Sequence, residues 1–138
     1  MTETTANKRR SSIFLYLSLF LTVCIVLAIC IGGTYYLDQT AQQATARFSE
    51  MKMAIQQDDW NSASEILDES FAYWNSRKAF WQTFLDHQKV DTIETSYLTL
   101  SGFLQSQSYP DALSQLNLLN YNLLHIPEME RITFANIL

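Results

Sequence analysis

Ile13-Phe14-Leu15-Tyr16-Leu17-Ser18-Leu19-Phe20-Leu21-Thr22-Val23-Cys24-Ile25-Val26-Leu27-Ala28-Ile29-Cys30-Ile31 is a run of nineteen residues without a charge, and Lys8, Arg9 and Arg10 stand just before it. A helix rising about 1.5 Å per residue needs about 20 apolar residues to cross the hydrocarbon core of a bilayer. Extension through Gly32 and Gly33 to Leu37 meets that length. Residues 11–37 therefore read as a transmembrane signal-anchor helix, in contact with lipid from Ile13 to Leu37. No basic residue follows until Arg47, so the positive-inside bias predicts a cytoplasmic tail at residues 1–10 and an extracytoplasmic domain at residues 38–138. The expected location is the cell membrane, crossed once.

A removable secretory signal has an apolar core of only about 7–15 residues followed closely by a small-x-small cleavage site. Here the run is longer, and the nearest such site, Ala44-Thr45-Ala46, lies well beyond it. Leu27-Ala28-Ile29-Cys30 resembles a lipoprotein acylation site, but Ile29 is bulky where that signal wants a small residue. Retention is the reading these features support. Cys24 and Cys30 both lie inside the run, which predicts no disulfide, thiol chemistry or cysteine metal site in the outer domain.

The chain carries a net charge of −5, with nine basic and fourteen acidic residues. Three of the basic residues precede the run, and every acidic residue but Glu3 follows Leu37. An acidic outer domain argues against nucleic acid and against anionic headgroups, since both require basic patches. Residues 38–138 suffice for one domain with its own core and not for two.

That domain is predicted to be helical. Beyond the span the chain is poor in breakers: neither glycine nor proline occurs between Thr34 and Ser101, and apolar residues recur at spacings of three and four. The span should continue as helix through Gln39 to Gln57, because Ala41, Ala44, Phe48, Met51 and Ile55 form one stripe. A second helix should begin after Asp58-Asp59, where a carboxylate can accept free N–H groups of the first turn. Trp60, Leu67, Trp74 and Trp81 then repeat every seven residues, and a break near Asn75-Ser76 avoids a rod of about 70 Å with no equal partner. A third helix is expected over 77–105, with Val90, Ile93, Tyr97, Leu100 and Leu104 as its packing seam.

Tyr109-Pro110-Asp111 should open a fourth helix, since proline is tolerated in a first turn. Leu113, Leu116, Leu119, Tyr121, Leu123 and Leu124 would form its apolar face. Pro127 is expected to kink or restart it, with a last segment from Glu128 to Phe134. Trp60-x-x-Ala63-x-x-x-Leu67 and Tyr109-x-x-Ala112-x-x-x-Leu116 repeat one pattern at two helix starts, which suggests two antiparallel hairpins. The predicted fold class is all-α: an N-terminal transmembrane helix followed by an extracytoplasmic antiparallel bundle of about four helices.

A short basic N-terminus, one span, the Asp59-Trp60-x-x-Ala63 helix start, Trp74, Trp81, Phe84-Leu85-Asp86-His87, Ile93 and the terminal Asn136-Ile137-Leu138 together resemble the domain-of-unknown-function family 4363. These are small single-pass membrane proteins of clostridia-type Gram-positive bacteria. The resemblance implies a fold and a topology, with no established activity to transfer.

Few residues carry chemistry. His87, Asp91 and Glu94 fall at i, i+4 and i+7 of one helix, a face that could offer imidazole and carboxylates to zinc, manganese or iron. Such a site lacks a partner unless packing brings His125 and Glu128 alongside; otherwise His87 simply bonds Asp91 while the acids are solvated. Trp60, Tyr73, Trp74, Phe80, Trp81 and Phe84 could line a ligand pocket, but helical spacing makes them core. There is no Gly-x-Ser-x-Gly elbow and no phosphate loop among Gly32, Gly33 and Gly102, and the adjacent pairs Asp58-Asp59 and Asp68-Glu69 diverge by about 100° on a helix, which makes them poor acid-base couples. No catalytic residue and no cofactor is assigned. The expected role is a noncatalytic interaction or assembly module whose partner is another membrane or envelope protein. The alternative is an extracytoplasmic ligand or metal sensor coupled to a membrane partner.

Overall fold

With no glycine or proline from Tyr35 to Leu100 to interrupt it, backbone bonding in this chain stays local. The computed structural model describes the backbone of residues 3–135 and the side chains of residues 13–129. The described chain is all helical: α1 (Glu3–Thr45), α2 (Phe48–Gln56), α3 (Trp60–Asn75), α4 (Lys78–Phe84), α5 (His87–Gln105) and α6 (Tyr109–Ala135). Contacts divide it into two units, Met1–Gly33 and Thr34–Leu138.

In the first unit the side chains from Ile13 to Val26 are exposed, and among the described residues α1 contributes the one helix long and apolar enough to cross a membrane. Its hydroxyls turn back on the helix. Ser18 Oγ donates to the Leu15 carbonyl at 3.0 Å and Thr22 Oγ1 to the Ser18 carbonyl at 2.8 Å. In an apolar medium that removes the cost of an unpaired polar group.

In the second unit one hydrophobic core runs through every helix. Leu37, Ala41 and Ala44 from α1 meet Phe48, Met51 and Ile55 from α2, Ala63, Ile66, Leu67 and Trp74 from α3, and Trp81 from α4. The seam Val90, Ile93, Tyr97, Leu100 and Leu104 is buried as its spacing predicts, against Ala112, Leu116, Leu119 and Leu123 of α6. α2 touches α3 and α6, α3 touches α5, and α5 touches α6, so the contacts close a circuit of four helices. Three polar links cross this core. Trp81 Nε1 donates to Thr40 Oγ1 at 2.9 Å, Thr40 in turn donates to the Leu37 carbonyl at 2.9 Å, and Ser70 Oγ lies 2.7 Å from the Ala44 carbonyl and 2.8 Å from the Tyr97 hydroxyl.

The structure differs from the sequence expectation in four places. The first helix does not run unbroken to Gln57; it stops at Thr45 and resumes at Phe48. Thr45 Oγ1 bonds the Ala41 and Gln42 carbonyls, Ser70 takes that of Ala44, and the Ala46 N–H tightens onto Gln43, so side chains compete with the ladder without ending the apolar stripe. The third helix is two helices, because Leu85 turns extended at φ −115° and ψ 151° and is buried, while Asp86 caps a new start. Tyr121 is exposed rather than core, its ring stacked on His125 at 4.2 Å. Of the kink or restart expected at Pro127, the restart does not occur: α6 runs on through the proline, which is buried within the helix, so residues 128–134 are not a separate segment. The expected break at Asn75-Ser76 is present, with Ser76 Oγ donating to the Tyr73 carbonyl at 2.6 Å. Asn136-Ile137-Leu138 lies outside the described residues.

The repeated pattern at Trp60 and Tyr109 has a backbone counterpart. Before each start, one residue adopts left-handed geometry, Asp58 at φ 56° and Gln107 at φ 54°. The N–H groups of Asp58 and Asp59 bond the carbonyls of Ile55 and Ala54, and those of Gln107 and Ser108 bond Leu104 and Phe103. Both turns are Schellman closures, and both do without the glycine that usually supplies the positive φ. Ala63 and Ala112, each fully buried, then let the neighbouring helix come close. A short polar side chain such as that of Asp58 eases the left-handed conformation, and that of Gln107 does not. Gln107→Gly is expected to stabilise the protein by about 0.5–1 kcal/mol and Asp58→Gly by less, as read from urea midpoints of the full chain in detergent.

Candidate functional site

α5 begins where it does because Asp86 Oδ1 accepts the Lys89 backbone N–H at 2.9 Å, from a residue with extended φ and ψ. His87 is therefore the first helical residue and is exposed, and Asp91, one turn on, is exposed too. Glu94 is half-buried and committed elsewhere: Lys78 Nζ reaches its Oε2 at 2.6 Å and also sits 5.9 Å over the Trp74 ring. The pair fastens α4 to α5. Among the described residues no group of three His, Cys, Asp or Glu is arranged to hold a metal ion. His125 joins a different place, a cavity of about 230 Å³ lined with Thr34, Asp38, Leu124, Pro127 and Glu128.

The Lys89 backbone N–H holds the Asp86 carboxyl below its ordinary value of 3.8. With a folded pKa below the unfolded one, the cap's contribution is present above the unfolded value and is lost as pH falls through the folded one. Asparagine caps as well and does not titrate. Asp86→Asn is thus expected to flatten the acid limb of the stability–pH curve below pH ~4 while leaving stability at neutral pH nearly unchanged. Asp59, whose carboxylate accepts the Ser62 N–H at 3.1 Å and is likewise held low, keeps a residual slope in that variant.

A wider concavity of about 610 Å³ opens along α5 and α6. Its walls are Gln88, Asp91, Thr92, Thr95, Ser96 and Thr99 on one side and Gln115, Leu118 and Asn122 on the other. Ser96 is the polar centre of its floor. Ser96 Oγ donates to the Thr92 carbonyl at 2.8 Å and accepts from Asn122 Nδ2 at 3.0 Å, while Gln115 Nε2 donates to the Ser96 carbonyl at 3.2 Å. Buried Ser96 and Asn122 thus satisfy each other, which fixes the register of the two helices. Leu118, 48% exposed, rises from this polar floor. Sequence reasoning did not single out Gln115, Leu118 or Asn122; the available signal was a buried-face position of α6 filled by asparagine.

The aromatic residues went to the core. Trp74 and Trp81 are fully buried with ring centroids 6.3 Å apart, and Trp60, Tyr73, Phe80 and Phe84 pack on that core from its edge. Trp74 also lies 5.7 Å from the Tyr97 ring and 6.1 Å from that of Phe71. Burial pushes the Tyr97 hydroxyl far above the ordinary tyrosine value, so it stays neutral and serves as a hydrogen-bonding group.

Taken together these features define a class: an all-α domain with a packed aromatic core and one apolar helix able to cross a membrane. The chain belongs to the family described as domain of unknown function DUF4363, whose model matches residues 31–137 and so begins at the end of the apolar run. A stretch of 76 residues is 33% identical to part of the alpha-glucan phosphorylase, H isozyme, of Vicia faba, covering 55% of this chain. The chain spans only 8% of the length of that curated relative. No solved structure matches it.

Proposed function

We propose that this protein is a noncatalytic module of the cell envelope, anchored by a single span with its N-terminus in the cytoplasm, whose extracytoplasmic antiparallel helical bundle docks another membrane or envelope protein. The observation that carries this reading is the open groove along α5 and α6. It is too open to enclose a small molecule, and it offers hydroxyl and amide groups around one projecting leucine, the mixture of polar groups and apolar anchor that a partner helix or loop would use. The acidic balance of the domain and the charge-free run preceded by Lys8, Arg9 and Arg10 support the topology.

A photo-crosslinking residue placed in cells at Leu118 and at Thr95 should give one discrete adduct shared by both positions and absent at Lys52, an exposed residue of α2. No adduct, or the same adducts from all three positions, would overturn the reading.

A second reading is a ligand sensor coupled to a membrane partner. The cavity that joins Asp38, His125 and Glu128 favours it, since all three groups sit in the half of the domain that carries its first residue, Thr34. A ligand can act there only if it binds two states with different affinity. The two readings part in a thermal-melting screen of the full chain against divalent metals and metabolites. A module shows no shift, whereas a sensor's ligand at a hundred times its Kd adds about 2.7 kcal/mol.

A further inference from the structure

We propose that α4 seats the folded domain on the interfacial layer of the bilayer through a row of aromatic rings, Tyr36, Phe80 and Phe84, with Tyr35 beside them. The proposal rests on the membrane-spanning reading of the apolar run and adds to it a contact made by the domain itself. Tyr35 and Tyr36 are the second and third residues of the folded unit. Tyr36 follows Ile31, the last residue of the run, by five positions, about 7.5 Å at the helical rise and no more than about 18 Å however the chain runs. If the run spans the membrane, Tyr36 lies within reach of the headgroup layer, where amphipathic aromatic rings concentrate.

The fold carries that level across to α4. The Phe80 ring meets Tyr36 edge-on with centroids 4.3 Å apart, and Phe84 follows at 4.8 Å. Phe80 and Phe84 are half-buried, Tyr36 is 39% exposed and Tyr35 is 64% exposed, so the row shows apolar edge to its surroundings. α4 is held in this position from behind. Trp81, on its buried side, donates its indole N–H to Thr40, one turn beyond Tyr36. A helix as short as Lys78–Phe84 has little stability of its own and keeps its place through such contacts.

The cations around α4 are engaged within the protein. Arg77 lies over the Tyr73 ring at 4.3 Å, Lys78 pairs with Glu94, and Lys89 pairs with Asp86 at 3.3 Å. The seat is therefore aromatic rather than electrostatic, and its partner is the interfacial layer of the lipid itself, whatever the headgroup charge. It should hold at high salt, where contacts of a basic patch with anionic lipid would be screened.

The test uses the full chain with Cys24→Ala and Cys30→Ala, reconstituted in phosphatidylcholine vesicles, with a nitroxide on one introduced cysteine at a time. Thr83→Cys lies on the exposed side of α4, Ser106→Cys on the turn after α5, and Phe20→Cys inside the run; all three positions are exposed, which keeps the fold intact. Collision with oxygen is compared with collision with a water-soluble nickel chelate. The expected order is a high oxygen preference at Phe20, an intermediate value at Thr83 several-fold above that at Ser106, and no change at Thr83 on raising salt. Phe20 in the acyl region with Thr83 equal to Ser106 overturns the seat alone. Phe20 equal to Ser106 overturns the span, and the seat with it. An intermediate Thr83 that falls to the Ser106 value in high salt also overturns the proposal, because it marks an electrostatic contact.

Discussion

Trp81→Ala is expected to destabilise the folded domain by about 3–5 kcal/mol, the range for removing a fully buried large aromatic side chain. The indole has no exposed surface and lies against Trp74, and its N–H is the donor that Thr40 accepts between α4 and α1. Truncation leaves a cavity at the point where two helices meet and takes the indole donor from a buried hydroxyl. Against a typical domain stability of about 5–15 kcal/mol, that loss is large enough to unfold a marginal protein. The measurement is the urea midpoint and near-ultraviolet circular dichroism of the full chain in detergent. A milder pair separates the packing from the hydrogen bond. Trp81→Phe keeps much of the ring and loses the bond to Thr40. Trp74→Phe makes the same change at a ring whose Nε1 is buried with no hydrogen-bond partner. Removing an unsatisfied donor recovers a desolvation cost of about 1–3 kcal/mol, which offsets much of the lost area. Trp74→Phe should therefore be the milder of the two by at least about 1 kcal/mol. Equal losses would mean that the Trp81–Thr40 bond contributes little.

The heptad of Trp60, Leu67, Trp74 and Trp81 was legible as spacing, and three of its four members are fully in the core. Packing seams are legible because burial imposes a period on the sequence: Val90 to Leu104 keeps its period within α5, and Ala41 to Ile55 keeps its own through a helix break that the pattern did not register. Breaks are harder to read, since a helix can stop without changing the face it buries. Ala46-Arg47 carries no cap, no glycine and no proline, and one of the groups that take helix carbonyls there, beside the local Thr45 hydroxyl, is the hydroxyl of Ser70, distant in sequence. Asp86 was different. An aspartate just before a new apolar period is a start signal, and Asp86 could have been read as one beside Asp59. The turns at Asp58 and Gln107 hide for a third reason: their positive φ falls on residues other than glycine, so composition does not announce them.

For the site, the sequence placed His87, Asp91 and Glu94 on one helix, and α5 contains all three. What it could not supply was the cation opposite. Lys78 precedes Glu94 by sixteen residues and reaches it only because the chain breaks at Leu85-Asp86 and α4 packs on α5. A carboxylate with its own ammonium partner is a poor candidate for a metal ligand, which is a fact of tertiary structure. The groove floor has the same origin. Ser96 and Asn122 meet across two helices, and although Asn122 stands out as an asparagine on the buried face of α6, nothing in the sequence names Ser96 as its partner.

Ser70→Ala should cost about 2–3 kcal/mol, more than the loss of one hydroxyl suggests, because it leaves two buried groups without their partner. Ser70 Oγ lies between the Ala44 carbonyl and the Tyr97 hydroxyl. A carbonyl can only accept, so the serine proton goes to Ala44 and the tyrosine proton goes to the serine oxygen. The order of the chain, from Tyr97 through Ser70 to the last turn of α1, fixes what each variant loses. Tyr97→Phe removes the first donor and leaves Ser70 bonded to Ala44, a loss of about 0.5–1.5 kcal/mol. Ser70→Ala orphans the Ala44 carbonyl and the Tyr97 hydroxyl at once. In the double variant the tyrosine hydroxyl is already gone, so the only orphan is the carbonyl, and the combined loss should fall below the sum of the single losses by about 1 kcal/mol. Additive losses in the cycle would show that the tyrosine hydroxyl finds another partner when Ser70 is removed. Coupling of the expected sign would mean that α5, α3 and the end of α1 are held by one relay, at the interruption between α1 and α2 where the backbone ladder alone does not hold them.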